Sequence, residues 1–260
     1  MISEKEVGIK ASDGSNIIAF QASPEHYTAG IIVIHEIFGL TDYIKNVARR
    51  LANEGYLAVA PNLYSRKINV LTPENIAGVM RRFWSLPPEK RNDAQAISQL
   101  LSTLSEKEKE VYSTLMQNRD SLENQMLDDL KSVHKYVMDS GAKKIGVIGF
   151  CMGGGLSFQI STMVPFDATV VYYGRNPRNI GDISKLKGPV LAMYAGEDSG
   201  INAGLPELMS AIIKYKPSFE MKLYPGTYHA FATEGGPVYN EAAAKDAWER
   251  TVNFYKKNLG

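Results

Sequence analysis

Cysteine is almost missing from this sequence: its 260 residues contain one, Cys151. A lone thiol cannot close an intramolecular disulfide, so a reducing, cytoplasmic setting is the expected compartment. Net charge is nearly missing as well, with 29 basic residues against 28 acidic ones. That balance supplies neither the basic footprint of a nucleic-acid binder nor a polybasic membrane patch, so no nucleic-acid or membrane partner is expected. No apolar run approaches the roughly 20 residues that a membrane span requires. The opening MISEKEVGIKASDGS is polar and mixed in charge, without the apolar centre of a secretory signal. Two ligand signatures fail on inspection. In G-x-G-x-x-G the second glycine would fall on Cys151 counting from Gly149, or on Ile148 counting from Gly146. In H-E-x-x-H, the stretch beginning His35-Glu36 reaches Gly39 where the second histidine belongs. No other metal-ligand cluster is evident, and neither metal nor cofactor is expected.

What is present is an ordinary globular composition, 44% hydrophobic and 22% charged. Short β-branched runs alternate with longer helical patterns, which predicts an α/β fold with a largely parallel sheet. Strands are expected at Asn16–Ala22, Gly30–His35, Leu57–Ala60, Lys144–Phe150, Ala168–Tyr173, Val190–Ala195 and Phe219–Tyr224. Runs such as GIIVIH and PVLAMYA are nearly continuous in apolar character, as strands buried on both faces are. Helices are expected at Tyr43–Glu54, Leu122–Met138, Gly154–Met163, Pro206–Tyr215 and Tyr239–Asn258. The stretch from about 72 to 118 has no strand-like run. Thr72-Pro73 offers a cap followed by proline, and Ser105 with Glu108 fits a capping box. Two or three inserted helices follow, either as a lid or as a cover for a sheet face. No repeat or linker divides the chain, so one domain over 1–260 with a helical insertion is the expected organisation.

The lone cysteine sits in IGVIGFCMGGG, residues 145–155. Gly149-Phe150-Cys151-Met152-Gly153 fits the nucleophile elbow G-x-S-x-G with cysteine in the serine position, after a strand and before a helix. Glycines two residues either side let strand and helix pass close to the strained nucleophile. The turn would aim the Met152 amide and the positive helix end at developing negative charge, a field that also favours a thiolate. A free cysteine is commonly just a small buried hydrophobe, so the reading needs partners.

Elbow hydrolases run nucleophile, acid, histidine along the chain. Of the four histidines, His26 precedes the first core strand, His35 ends one, and His134 lies in an amphipathic helix. His229, in YPGTYHAF, follows a strand and precedes the last helix, where open α/β sheets gather function. Between it and Cys151, PVLAMYAGED ends in Glu197 and Asp198; either could orient the imidazole, and the shorter Asp198 is preferred. A second oxyanion donor should follow an early strand, at Ile37 or Phe38.

These pieces together resemble the dienelactone hydrolase (carboxymethylenebutenolidase) family, cysteine-dependent members of the α/β-hydrolase superfamily. HEIFGLTDYI, APNLYSR, GVIGFCMGGG, VVYYG, MYAGED and YPGTYHAF carry the likeness from about residue 30 to 231. The resemblance implies an α/β-hydrolase fold, Cys151 as nucleophile, His229 as base, Asp198 as its orienter, and the amides of Ile37 and Met152 as oxyanion hole. It further implies that Glu36 takes the thiol proton when substrate arrives. Family members acting on dienelactones carry an arginine four residues after the histidine; here that residue is Thr233. Arg81, Arg82, Arg175 and Tyr173 are the candidates for substrate binding. The expected activity is hydrolysis of a small-molecule ester or lactone. A thioesterase or broad esterase on the same site, and a non-catalytic thiol sensor, are the competing readings; a sensor would want a resolving cysteine.

Overall fold

The computed structural model describes residues 1–260. Eight strands form one sheet in the order β1-β2-β4-β3-β5-β6-β7-β8, with β1 (Ser3–Lys10), β2 (Asn16–Ser23), β3 (Ala29–Ile34), β4 (Leu57–Pro61), β5 (Lys144–Phe150), β6 (Ala168–Tyr172), β7 (Val190–Ala195) and β8 (Phe219–Tyr224). β1 and β2 pair antiparallel, β2 meets β4 antiparallel, and every later pairing is parallel. The seven expected strands are all there. β1 is the addition: its residues SEKEVGIK are exposed except at the end, so no apolar alternation announces it. Pairing with β2 along all eight residues defines it instead.

β3 explains why the central strands read as unbroken apolar runs. Ile32 and Ile34 join one core cluster, with Val79, Met126, Leu130 and Ile160. Ile31 and Val33 join the opposite cluster, with Val47, Leu51, Phe254 and Tyr255. Each face is covered by helices, as a parallel sheet requires. On the first lie α5 (Arg119–Asp139) and α6 (Met152–Ser161); on the second lie α1 (Asp42–Asn53) and α9 (Glu241–Leu259). A third, smaller cluster joins Val190, Ala192 and Tyr194 of β7 to Leu208 of α8 (Leu205–Tyr215). α7 (Ser199–Asn202) is a single turn that the sequence pattern did not signal.

The insertion forms α2 (Pro73–Trp84), α3 (Ala94–Ser102) and α4 (Glu106–Tyr112). Thr72 caps α2, accepting from the Asn75 amide at 3.2 Å, and Ser105 and Glu108 complete a reciprocal capping box on α4. α4 continues through a π-helical turn, Ser113–Gln117, and a break at Asn118 into α5. Both roles considered for this region have a part: Val79 packs in the sheet-face core, while Phe83 and Trp84 wall a cavity above the strand ends. The order reversal between β3 and β5 is the switch point of the sheet, where open α/β folds place their ligands. No helix is long and apolar enough to cross a membrane.

Candidate active site

Cys151 follows β5 at the switch point and is the N-cap of α6, with φ 55° and ψ −117°. That is a strained conformation for a residue with a Cβ, and it holds the half-buried thiol at the helix mouth. The flanking glycines are required by close contact. A Cβ on Gly149 would lie 1.9 Å from the Gly153 carbonyl oxygen, and one on Gly153 would lie 2.4 Å from that of Ile34. α6 therefore starts at Met152, two residues before the apolar pattern suggests, because glycines that look like a loop are already helical.

His229 lies on the loop after β8, with its Nδ1 hydrogen-bonded to Asp198 Oδ2. Burial opposes a charge on this ring, but Asp198 and the Cys151 sulfur outweigh it and push its pKa up to about 10. Asp198 sits after β7 and caps α7 through its other oxygen. Glu197 turns away: its carboxylate accepts from the Gly226 amide at 3.3 Å, so the alternative acid is not placed to orient the ring. Tyr173 stacks behind His229, ring centroids 5.2 Å apart, and is wholly buried. It supports the imidazole and does not line the cavity.

Glu36 follows β3 and is 5% exposed. Burial raises its pKa, only partly offset by the hydroxyl of Thr233, which donates to Oε1 at 2.8 Å, and by the nearby His229. A neutral hydroxyl thus occupies the place beside Glu36 where the resemblance led one to look for a guanidinium. His35 fixes the turn from beneath. Its Nδ1 is 2.6 Å from the Glu36 carbonyl, and its Nε2 accepts from the Leu63 amide at 3.1 Å. Both ring nitrogens serve the neutral form, and burial lowers this pKa to about 4.

The amides of Ile37 and Met152 border the same cavity and donate to no group within the protein. Tyr64 ties their residues together, donating to the Ile37 carbonyl at 2.8 Å and resting 3.8 Å from the Met152 sulfur. Burial raises the pKa of its phenol, so the donor is permanent. Sequence reasoning passed over Tyr64, although it belongs to the quoted APNLYSR; a tyrosine after a strand carries no signal of what its hydroxyl will reach.

The cavity has a volume of about 460 Å3, and 13 of its 19 lining residues are hydrophobic. Arg175 lines it, whereas Arg81 and Arg82 do not. Arg81 is exposed on α2, and Arg82 faces outward to Glu108 and the Thr103 carbonyl. Arg119, at the start of α5, was not foreseen and does line it.

The dienelactone hydrolase family model matches residues 17–259. The chain belongs to the dienelactone hydrolase family. A provisionally named carboxymethylenebutenolidase of Saccharolobus solfataricus is 54% identical over 254 residues, covering 98% of each chain. Another so named, from Escherichia coli strain K12, is 30% identical over 265 residues, covering 96% of this chain and 85% of its own. The crystal structure of a provisionally named dienelactone hydrolase from Klebsiella pneumoniae superposes with a TM-score of 0.73 at 26% identity, over 99% of both chains. The chain is a dienelactone hydrolase-like hydrolase with the α/β-hydrolase fold.

Proposed function

We propose that the protein hydrolyses carboxylic esters or lactones through a thioester on Cys151, acting on a small-molecule substrate in the cytoplasm. One observation carries the reading. A strained thiol at a helix N-terminus, a histidine bonded to a carboxylate, and two undonated amides converge on one cavity wall. Glu36, made more basic than an ordinary carboxylate by burial, accepts the thiol proton. The thiolate attacks the carbonyl carbon, and the oxyanion takes hydrogen bonds from Ile37 and Met152. As the C–O bond breaks, the His229 imidazolium gives its proton to the departing alkoxide. The neutral imidazole, held by Asp198, then removes a proton from water. The hydroxide adds to the thioester and expels the thiolate, releasing the acid.

A thioesterase or broad esterase would use the same groups; the mainly apolar wall and the neutral Thr233 favour that breadth of substrate. The test is intact-mass spectrometry of a rapidly quenched reaction with p-nitrophenyl acetate. An acyl adduct on Cys151 that accumulates in His229→Ala supports the scheme. Full activity in Cys151→Ala would place the nucleophile elsewhere.

A further inference from the structure

The sheet has two unpaired edges, β1 and β8, and their sequences treat a second strand differently. β1 carries Glu4, Lys5 and Glu6 in a row, all exposed. A second copy paired antiparallel across Lys5 would oppose Glu4 to Glu6, and one paired across Glu6 would set that carboxylate against itself. Like charges placed opposite one another repel, so this edge is blocked. β8 reads Phe219-Glu220-Met221-Lys222-Leu223-Tyr224, with Pro217 and Pro225 at equal distances from Met221. Around Met221 the charges are opposite and the apolar residues alternate with them.

The backbone of β8 has the same centre. The Val190 amide donates to the Ser218 carbonyl at 2.9 Å, and the Gly196 amide to that of Tyr224 at 2.8 Å. Even-numbered residues of β8 therefore bond to β7, its one neighbour, and the N–H and C=O groups of Phe219, Met221 and Leu223 point out of the sheet. Phe219 and Met221 turn their side chains to the α8 face, and Tyr224 turns its own to the α9 face, which Glu220 and Lys222 share. Neither charge has an ion-pair partner in its own chain. Lys222 rests 5.4 Å from the centre of the Tyr224 ring, and the nearby Asp246 is held by Arg250 and the Tyr224 hydroxyl.

We propose that a second copy of this chain docks on β8, antiparallel about a two-fold axis through Met221, and makes the two sheets continuous. In that register Met221 exchanges both backbone hydrogen bonds with its counterpart, and Phe219 does so with the partner's Leu223. Glu220 then faces the partner's Lys222 twice over, at the closer kind of antiparallel pair, with Cα atoms about 4.5 Å apart. Pairing across Glu220 or Lys222 would oppose like charges, and a slip of one residue would put the side chains on the wrong faces. A strand this short engages fewer than the roughly 20–30 residues a side of a stable interface. α8 supplies more: it shares a core cluster with Phe219 and Met221, and it leaves Met209 and Ile213 exposed one turn apart, Ile213 at 68%. The axis sets α8 of both copies on one face, where these side chains and the exposed Leu223 meet apolar counterparts. Since β8 leads into the loop of His229, the pairing also braces the strand from which that loop hangs.

The experiment is sedimentation equilibrium over a wide dilution series, with near-ultraviolet circular dichroism to check folding. Wild type should dimerise. Glu220→Lys and Lys222→Glu each make both cross-strand pairs repulsive, and each should raise the dimer dissociation constant by about tenfold or more. An equimolar mixture of the two variants should form a heterodimer, because the charges of one then complement those of the other. The double variant Glu220→Lys/Lys222→Glu should dimerise as wild type does. Hydrogen exchange of the unmodified protein gives a second reading, with the amides of Phe219, Met221 and Leu223 slow when concentrated and fast when dilute. A monomer at every concentration overturns the proposal. So does a dimer indifferent to both single variants, which would join through another face, and a mixture that stays monomeric.

Discussion

At the residue scale, Glu36 offers the sharpest test because its environment works against its charge. Its folded pKa is raised, so between the unfolded value and the folded one the native state binds more protons than the unfolded state. Stability then falls as pH rises through that window, and below the unfolded value the effect vanishes. Glu36→Gln keeps an acceptor for Thr233 and has no charge to bury. Its melting temperature should exceed that of wild type at pH 7–8 by a few degrees, on the scale of ~2–4 °C per kcal/mol for a chain of this size, and match it near pH 4. Turnover should fall in the same variant. Equal melting curves at both pH values would remove the buried-charge account. Tyr64→Phe tests the other side of the site. Loss of one hydroxyl frees the Ile37 peptide, and kcat should drop about tenfold, below the full cost of removing an oxyanion donor. Cys151, His229 and Asp198 could be picked out of the sequence because each follows a strand, at a place where function gathers, whereas Glu36 entered only through the family resemblance. Tyr64 and Arg119 could not. Tyr64 reaches a carbonyl 27 residues away, which no spacing rule announces, and the i,i+4 spacing that pairs Arg119 with Glu123 on α5 does not tell that Arg119 will line the cavity.

At the element scale, the elbow depends on an absence of atoms. Gly153→Ala drives a Cβ into the backbone carbonyls of Ile34 and His35, neither of which can rotate away. Beyond the ~1–3 kcal/mol of ordinary overpacking, α6 must shift from β3, and chemical denaturation together with loss of esterase activity should report both effects. α3 is the opposite case. None of its residues is fully buried, and only the half-buried Ile97, Leu100 and Leu101 pack against the first core. Hydrogen exchange should find its amides among the fastest of any helix here and those of β5 among the slowest. The same contrast governs which elements could be read from sequence. Helices and strands with one or both faces buried have an apolar period to betray them, and their bounds came within two or three residues. β1, exposed on nearly every residue, has none and is defined only by its neighbour.

At the scale of the whole molecule, two histidines set opposite limits on stability. His35 is buried neutral with its pKa lowered to about 4, so its contribution is complete above the unfolded value near 6.5 and is lost as pH falls toward 4. His229 has its pKa raised to about 10, so its contribution is complete below 6.5 and is lost as pH rises toward 10. Melting temperature against pH should therefore peak near neutrality and decline on both flanks. His229→Asn should flatten the alkaline flank alone, and an unchanged alkaline slope in that variant would deny the histidine its part. The two halves of the site are also joined mechanically, through the π-helical turn at Ser113–Gln117. α4 runs into α5, which is seated on the sheet, through this turn and the break at Asn118. A π turn accommodates a residue more than an α turn, and each α-helical residue advances the azimuth by about 100°. Deleting a single residue from Ser113–Gln117 would therefore let the turn close as α-helix with the flanking helices keeping nearly the same azimuth. Leu115 and Met116, which line the cavity from the turn itself, would be the side chains displaced, so one codon would reshape the chamber and leave its frame in place.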